Sequence, residues 1–571
     1  MSNQMKMQKK TVSEWVKSGD PWVWLNAGAV AISVIMVVGL LLLIAVRGLG
    51  HFWPADVVQA TYSLPGEKAY TISAERVESV EVTSAQLREA GVNLPDDGDL
   101  LLQRTLLKMG NRDVYGADFG WVLDKYLSDM QTPEMLFTAE RHEWGNLYGY
   151  LMSVKEDGQV VSETQDVTPT DSALATWALF EKSIERASTI HDEIKGIEKS
   201  DIGKINHALE RIRLKQRRFE LNGELTAEVE ADLVAERSQY DEEYKALQAN
   251  LAALYQQINR DTFTVQVMDG TVHEVQVSKI VHAYRANAMS VPQKMGFYFT
   301  KLWEFLTDDP REANTEGGVF PAIFGTVMMV LLMTVLVTPF GVVAAVYLRE
   351  YASQGWVTRI IRIAVNNLAG VPSIVYGVFG LGFFIYFLGS GIDQAFFPEA
   401  LPSPTFGTGG LMWASITLAL LTVPVVIVAT EEGLSRIPRN VREGSLALGA
   451  TKAETLWRVV LPMASPAIMT GVILAVARAA GEVAPLMLVG VVKLAPSLPL
   501  DGNYPFIHLD QKFMHLGFHI YDVGFQSPNV EAARPLVYAT ALLLVIVIAL
   551  LNLSAVTIRN HLREKYKSLE M

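Results

Sequence analysis

The apolar residues of this chain fall into six long blocks, and a long polar stretch separates the first block from the other five. A helix needs ~20 apolar residues to cross a hydrocarbon core of ~30 Å, and each block is about that long. The first block is too long for a signal-peptide core and lacks a small-residue cleavage site, so it is expected to remain as an anchor. The pattern predicts an all-α polytopic membrane protein with six transmembrane helices. The predicted spans are Trp22–Val46, Val319–Leu348, Leu368–Leu388, Leu411–Ala429, Ala464–Val491 and Leu536–Ile558.

Lysine and arginine residues are concentrated in the two tails and in the connections after the second and fourth spans. This distribution predicts the orientation of the chain, because cytoplasmic loops are enriched in these residues. The connection 389–410 contains neither residue, and Arg47 is the single charge that disagrees. The tails 1–21 and 559–571 are therefore expected in the cytoplasm, with 22–47 as the first span and 48–316 on the outside. The cytoplasmic charges are Lys6, Lys9, Lys10, Lys17, Arg349, Arg359, Arg362, Arg436, Arg439, Arg442, Lys452, Arg458, Arg559, Arg563, Lys565 and Lys567.

Residues 48–316 are predicted to form a large α+β periplasmic insert with three textures. Tyr62–Asp166 mixes strand-like runs with short helical pieces. Residues 171–258 have apolar positions at helical spacing on both sides of Asn222-Gly223, which predicts an antiparallel helical hairpin with coiled-coil character. Thr262–Ser278 alternates around Asp269-Gly270, a strong signal for a β-hairpin. Two roles stay open for this insert, a spacer or lid and a docking surface for a periplasmic partner.

Composition excludes several classes of function. The chain has 571 residues and a formal net charge of −13, whereas nucleic-acid-binding proteins usually present a basic face. It contains no cysteine, so disulfides and thiolate metal sites are excluded. There is no glycine-rich phosphate loop, so ATP is expected to bind to a separate polypeptide. His508 and His515 are expected to be solvated in an external loop, and no metal-ligand spacing or nucleophile–base arrangement is evident.

The connection 431–462 has the local chemistry of two short helices. The first is predicted to end near Leu448, where Gly449 can adopt a left-handed conformation. Thr451 and Glu454 have the spacing of a capping box for the second helix, which Pro462 is expected to end. The apolar residues expected to meet a partner's groove are Leu446, Leu448, Leu456 and Trp457.

Glu443, Gly449 and the ending Val459-Val460-Leu461-Pro462 resemble the EAA loop of binding-protein-dependent ABC importer permeases. Gly444 and Ser445 stand where that family usually has alanines, which is a mild departure. The resemblance implies a type I importer core at 317–558 with five spans, and a coupling loop that seats in a cleft of an ATPase subunit. The implied coupling residues are Glu443, Gly449, Thr451, Glu454, Leu461 and Pro462.

Three further stretches, Gly317–Thr326, Leu368–Gly380 and Ala477–Gly490, resemble the phosphate-specific permeases of the PstA type. The resemblance leaves out the insert. It implies a subunit in the inner membrane that translocates inorganic phosphate without hydrolysing ATP. The implied partners are a second permease (PstC-like), an ATPase dimer (PstB-like) that uses ATP and Mg, and a periplasmic phosphate-binding protein (PstS-like). No cofactor is expected on this chain.

The fifth block contains two ionisable residues, Arg478 and Glu482, which are four positions apart and would share one helix face. A charge at the centre of a membrane helix costs ~2.5–3.5 kcal/mol on the insertion scale and marks a pathway by default. Arginine can hold a phosphate with a fork of donors, and Glu482 can accept a hydrogen bond from a P–OH group. The alternative is an internal salt bridge that only joins helices. Pro372 and Ser373 predict either a kink whose freed carbonyl the hydroxyl compensates, or a substrate contact.

Two other functions stay open from the residues alone. One is a permease for another oxyanion, such as sulfate or molybdate. The other is a membrane-anchored envelope sensor or scaffold, although such a protein has no need of an ATPase-docking loop.

Overall fold

The computed structural model describes residues 16–66, 68–92, 100–527 and 530–566. Lys6, Lys9, Lys10 and Lys567 of the predicted orientation signal lie outside the described residues. Within them, six helices are long and apolar enough to cross a membrane, which confirms the predicted number. Spans 1 to 6 are Asp20–Gly50, Phe320–Tyr351, Ser373–Phe396, Leu411–Arg436, Lys452–Gly481 and Ala533–His561.

Short π-helical turns occur within several of the helices, both in the spans and in the insert. The α-helices are α1 Asp20–Gly50, α2 Ser84–Glu89, α3 Arg112–Tyr115, α4 Asp171–Gly196, α5 Ile202–Asn222, α6 Ala227–Ile258, α7 Val291–Thr307, α8 Phe320–Val346, α9 Trp356–Leu368, α10 Ser373–Phe379, α11 Ser390–Phe396, α12 Leu411–Arg436, α13 Arg439–Ala447, α14 Lys452–Thr455, α15 Leu461–Gly481, α16 Leu486–Val489, α17 Leu516–Tyr521 and α18 Val530–Tyr566. The π turns are Ile197–Asp201, Tyr347–Tyr351, Gly380–Gly389, Leu456–Val460 and Asp522–Gln526.

Span 3 begins later than predicted. Leu368 is the last residue of α9, a separate amphipathic helix, and the chain is interrupted before span 3 starts at Ser373. Pro372 has extended geometry (φ −55°, ψ 135°) and caps the new helix. A proline disfavours the helical conformation of the residue before it, here Val371. Pro372 therefore starts a helix, and the predicted kink is wrong.

Span 5 differs from its prediction at both ends. Its helix starts at Lys452 and passes through the π turn Leu456–Val460 into α15, so Pro462 does not end it. The missing N–H of Pro462 is tolerated because proline falls within the first two positions after the π turn. The helix ends at Gly481, and Glu482 is extended (φ −80°, ψ 133°). Pro485 explains this early end, because a proline disfavours the helical conformation of the residue before it, here Ala484.

Spans 2, 4 and 5 form the centre of the membrane core. They approach closely at glycines: a Cβ on Gly341 would lie 2.6 Å from Val426, and one on Gly471 would lie 2.6 Å from Ala429. Small residues permit such close packing of helices in a bilayer. Span 1 touches span 6 at its end, where a Cβ on Gly48 would lie 2.9 Å from the backbone of Ala539. Most of its apolar residues are exposed.

The insert contains two antiparallel sheets. One has the order β4-β3-β2-β1-β5, and the other has the order β10-β9-β7-β6-β11 with β8 on β7. Strand-like runs are expected from the sequence, but sheets of this size are not, so the insert is far richer in strand than predicted. The strands are β1 Val57–Tyr62, β2 Tyr70–Thr83, β3 Leu101–Lys108, β4 Phe119–Leu123, β5 Leu127–Gln131, β6 Phe137–Arg141, β7 Leu147–Glu156, β8 Gln159–Glu163, β9 Asp261–Gln266, β10 Val272–Gln276, β11 Ile280–Tyr284, β12 Pro310–Arg311 and β13 Glu316–Gly317.

Helices α4, α5 and α6 form a long hairpin, here called the arm. The π turn Ile197–Asp201 joins α4 to α5, Gly223 in left-handed geometry (φ 70°) ends α5, and Thr226 caps α6. Buried isoleucines of α4, including Ile190 and Ile194, belong to the same core as Leu254 and Ile258 of α6. The predicted coiled-coil character of the arm stays a prediction.

The chain enters and leaves the insert at one place, here called the neck. The Asn287 side chain accepts a hydrogen bond from the Val57 N–H (2.9 Å) and donates to the carbonyl oxygens of Val57 (2.8 Å) and Pro133 (2.9 Å). Lys294 forms an ion pair with Asp56 beside it. These contacts hold the two chain connections of the insert together.

Candidate functional site

Residues 431–462, here called the coupling loop after their predicted role, contain the tight turn that the sequence predicts. Helix α13 ends at Ala447, Gly449 has a φ of +86°, and α14 starts at Lys452. The Thr451 hydroxyl accepts a hydrogen bond from the Glu454 N–H (3.2 Å), and the Glu454 carboxylate accepts one from the Thr451 N–H (2.9 Å). This capping box fixes the second helix against the turn.

The tip of this loop exposes large apolar side chains. Leu448 is 91% exposed and Trp457 is 72% exposed, and Leu446 and the carboxylate-bearing Glu443 are also exposed. Leu456 instead is buried with Leu434 and Val460, so its predicted contact with a partner is wrong. Its position in the π turn points it back into the core.

The loop is fastened to the end of span 2. Arg442 donates to the carbonyl oxygens of Ile437 (2.7 Å) and Leu434 (2.7 Å) and pairs with Glu350 (3.0 Å). Lys452 donates to the carbonyl oxygen of Glu350 as well. The sequence alone indicates Arg442 and Lys452 only as orientation charges and gives no signal for Glu350. These contacts link the loop to the end of span 2.

The second group of residues lies where span 5 ends. Arg478 is in its last turn, and the Arg478 Nε lies 3.6 Å from the Glu482 Oε1. The predicted shared helix face is wrong, since Glu482 lies after the last helical residue. The pair is nevertheless close, and both side chains are only partly exposed.

The end of span 5 meets the start of span 3. A Cβ on Gly377 would lie 2.7 Å from the Cα of Pro485. The Tyr376 hydroxyl donates to the Leu368 carbonyl oxygen across the interruption (2.6 Å), and Arg478 lies close enough to act on Tyr376 electrostatically. Two interrupted helices therefore come together beside the ion pair.

Pro372 and Ser373 lie at the start of span 3, where the two interrupted helices meet. Ser373, the first residue of span 3, is half-buried, and Pro372 is exposed. Tyr376 is not among the site residues that the sequence predicts, although Gly370 and Pro372 signal an interruption before it.

The two histidines expected in solvent are buried. His508 pairs with Asp501 (2.8 Å), and the His515 Nδ1 accepts a hydrogen bond from the Gly517 N–H (3.1 Å). Burial lowers the pKa of His515 to about 3. Across the described part of the chain, no group of three or more His, Asp or Glu side chains could hold a metal ion.

Comparison with known proteins relates this chain to a family of membrane transport proteins. Residues 337–568 match the family "Binding-protein-dependent transport system inner membrane component". The chain is 38% identical over 247 residues to the phosphate transport system permease protein PstA 1 of Mycobacterium tuberculosis strain CDC 1551, covering 43% of this chain and 71% of that protein. The chain belongs to this family of transport permeases.

Two other members of the permease family match over a similar region. The phosphate transport system permease protein PstA of Mycobacterium leprae is 35% identical over 276 residues, 48% of this chain and 81% of that protein. The probable ABC transporter permease protein YqgH of Bacillus subtilis is 33% identical over 203 residues, 35% of this chain and 62% of that protein. The chain is thus a multi-pass inner-membrane transport subunit of the ABC type.

Solved structures of ABC importers give weaker likenesses. The MetNI methionine ABC transporter in an inward-facing conformation is 18% identical, with 48% of this chain and 99% of that chain covered and a TM-score of 0.31. A bacterial ABC transporter that imports alginate is 12% identical, with 46% and 83% covered and a TM-score of 0.32. Scores this low carry no argument.

Proposed function

We propose that this chain is a permease subunit of an ATP-driven importer and that its substrate is inorganic phosphate. The observation that supports this most directly is a sequence identity of 35% and 38% with two PstA permeases, over 81% and 71% of their lengths. In this proposal the chain hydrolyses no ATP and binds no cofactor. A separate ATPase uses ATP and Mg.

The coupling loop is proposed to dock on that ATPase. Its exposed Leu448 and Trp457 supply apolar contact area, while Gly449 and the capping box hold the two helices at a fixed angle. Closure of the ATPase would push on the loop, and the contacts of Arg442 and Lys452 with Glu350 would pass that movement to span 2. Leu461 and Pro462 lie on the continuous helix of span 5 and connect the loop to the same core.

The ion pair of Arg478 and Glu482 is proposed as part of the anion path. Interrupted membrane helices place helix ends inside the protein, and the N-terminal end of a helix favours an anion. Span 3 begins at Ser373, three residues before Tyr376, which lies within electrostatic reach of Arg478, so the positive end of span 3 and the Arg478 guanidinium would act together. Glu482 would accept a hydrogen bond from the P–OH group of hydrogen phosphate, a donor that sulfate lacks at neutral pH. Pro372 contributes by setting where span 3 starts.

The proposed assembly and orientation follow the family and the charges. A second permease (PstC-like), an ATPase dimer (PstB-like) and a periplasmic phosphate-binding protein (PstS-like) complete the importer. Lys17 and Arg349 are among the positive charges that support a cytoplasmic location for both termini by the positive-inside rule, and the insert is proposed to be periplasmic.

The arm of the insert is proposed to act as a lid. It extends over the external connections of the core: Arg218 on α5 pairs with Glu399 between spans 3 and 4 (3.3 Å), and His207 stacks edge-on with His508 between spans 5 and 6 (5.9 Å). A docking surface for the binding protein is the second candidate. The proposed coiled-coil packing would make the arm stiff enough for either role.

The decisive experiment is uptake of radiolabelled phosphate by proteoliposomes that contain the purified complex, the binding protein and enclosed ATP. Phosphate uptake that excess sulfate and molybdate leave unchanged is expected. Inhibition by sulfate or molybdate would assign the chain to another oxyanion. Purification of the chain without an ATPase, and without any uptake, would favour the envelope sensor.

A further inference from the structure

Helix α7, Val291–Thr307, which precedes span 2, presents an exposed apolar stripe. Its members are spaced four apart, so they lie on one side of the helix. Between 49% and 67% of each remains exposed, although all four are large and apolar. The stripe consists of Val291, Met295, Phe299 and Trp303.

The insert rests on the opposite side of α7. The Phe297 ring lies 4.4 Å from the Tyr284 ring, Lys301 pairs with Glu140 (2.6 Å), and Glu304 pairs with His282 (2.9 Å). At ~100° per residue these three helix positions point about 180° away from the middle of the stripe. The stripe therefore faces directly away from the sheet that α7 supports.

The same helix bridges the ends of spans 1 and 2. Phe52, two residues after span 1, packs its ring 5.0 Å from Phe305 and 6.3 Å from Tyr298. The Val319 N–H, directly before span 2, donates to the Phe305 carbonyl oxygen (2.9 Å). Since both spans end at the level of α7, the helix lies at one boundary of the membrane, and its free side is directed away from the insert.

We propose that α7 lies on the lipid bilayer, with the stripe in the boundary between headgroups and acyl chains. An amphipathic helix with tryptophan and phenylalanine on its apolar side binds at this depth. Trp53 is also exposed, lies 6.2 Å from Tyr298, and continues the stripe toward the lipid-facing side of span 1. Tryptophan is enriched at this level of membrane proteins. The inference needs only a membrane protein of this family and is independent of the proposed substrate.

Fluorescence quenching by lipids tests the proposal, because the chain contains no cysteine of its own. Single cysteines replace Phe299, Trp303, Leu40 in the middle of span 1, or exposed Val160 on β8. Each is labelled with bimane in the assembled transporter, with cysteine-free partners, in nanodiscs. The quenchers are lipids with a nitroxide on the headgroup, lipids with a nitroxide deep in the acyl chain, and aqueous iodide.

The headgroup nitroxide should quench positions 299 and 303 as strongly as the deep nitroxide quenches position 40, and neither lipid should quench position 160. Iodide should quench position 160 alone. If iodide quenches 299 and 303 as it quenches 160, the stripe faces water and the proposal is wrong. If no quencher reaches 299 and 303, another protein subunit covers the stripe, and the proposal is equally wrong. Phosphate uptake does not enter either result.

Discussion

Gly449 combines an open environment with a constrained backbone. No atom lies within 4 Å of a Cβ built on it, yet its φ is +86°. A left-handed conformation costs a residue with a Cβ ~1–2 kcal/mol. Gly444 in α13 also has free space but helical geometry, which makes it a matched control.

We expect Gly449→Ala to weaken copurification of the ATPase and to lower phosphate uptake severalfold, because the strained turn changes the angle between the two loop helices. Gly444→Ala should leave both measurements near the parent. Equal behaviour of the two variants would show that the turn geometry has no part in coupling.

Arg478 and Glu482 require a double substitution to separate a pathway from a structural pair. Loss of one partner leaves a partly buried charge unpaired; for a fully buried pair this costs ~3–5 kcal/mol in general, so a single substitution can impair folding as well as transport. We expect the double variant Arg478→Gln, Glu482→Gln to assemble and retain its ATPase but to lose phosphate uptake in vesicles. Uptake near the parent's rate would falsify the pathway role and leave an ion pair that joins helices.

His142 in the insert makes stability depend on pH. Burial, together with the charges of His191 and Arg311, lowers the pKa of His142 to about 4, whereas an unfolded histidine has a pKa of ~6.5. Below ~6.5 the unfolded chain binds a proton that the folded chain does not, so stability falls as the pH drops from ~6.5 to about 4.

The unfolding temperature should therefore be lower at pH 5 than at pH 7, and His142→Gln should reduce this difference. The exposed His561→Gln is the control and should keep the full difference. A pH dependence that His142→Gln leaves intact would assign it to other groups.

Local chemistry explains which residues of the site the sequence could predict. Gly449, Thr451 and Glu454 form a turn and a cap within six residues, so their geometry is encoded locally. Glu350 lies about a hundred positions from its partners Arg442 and Lys452, and only the packing of spans 2 and 4 brings them together. The burial of His508 and His515 is likewise a consequence of tertiary packing, which residue type alone does not show.

Among the elements, the membrane helices were the easiest to predict and their interruptions the hardest. A block of ~20 apolar residues encodes a span directly. Apolar character continues across the interruption before Ser373 and the one after Gly481, so hydropathy alone joins segments that proline separates. The sheets exceed the prediction because β1 pairs with β5 across three intervening strands and β7 pairs with β9 across the whole arm, and no local pattern specifies such pairings.

The arm offers an experiment on an element as a whole. We expect a bifunctional cross-link between cysteines at positions 218 and 399 to stop phosphate uptake, since a lid must leave the external connections during each cycle. The two single-cysteine variants treated with the same reagent should transport normally. Full uptake by the cross-linked protein would make the arm a static spacer.

For the whole molecule, the first property to establish is the side of the membrane on which the insert lies. Single cysteines at Asn222, at the end of α5, and at Lys452, in the coupling loop, report the two sides. An impermeant maleimide on intact spheroplasts should label Asn222→Cys and leave Lys452→Cys unlabelled until the membrane is broken. The reverse pattern would overturn both the topology and the docking of the loop on a cytoplasmic ATPase.

The neck has a consequence for the ancestry of the protein. Val57 and Asn287 are 230 positions apart and joined by hydrogen bonds, so the segment between them begins and ends at adjacent points. A domain whose two ends are adjacent can be gained or lost in a single genetic step without displacing its host. The insert thus has the geometry of a domain inserted into a host protein. The permease core is then free to have an evolutionary history older than that of the insert.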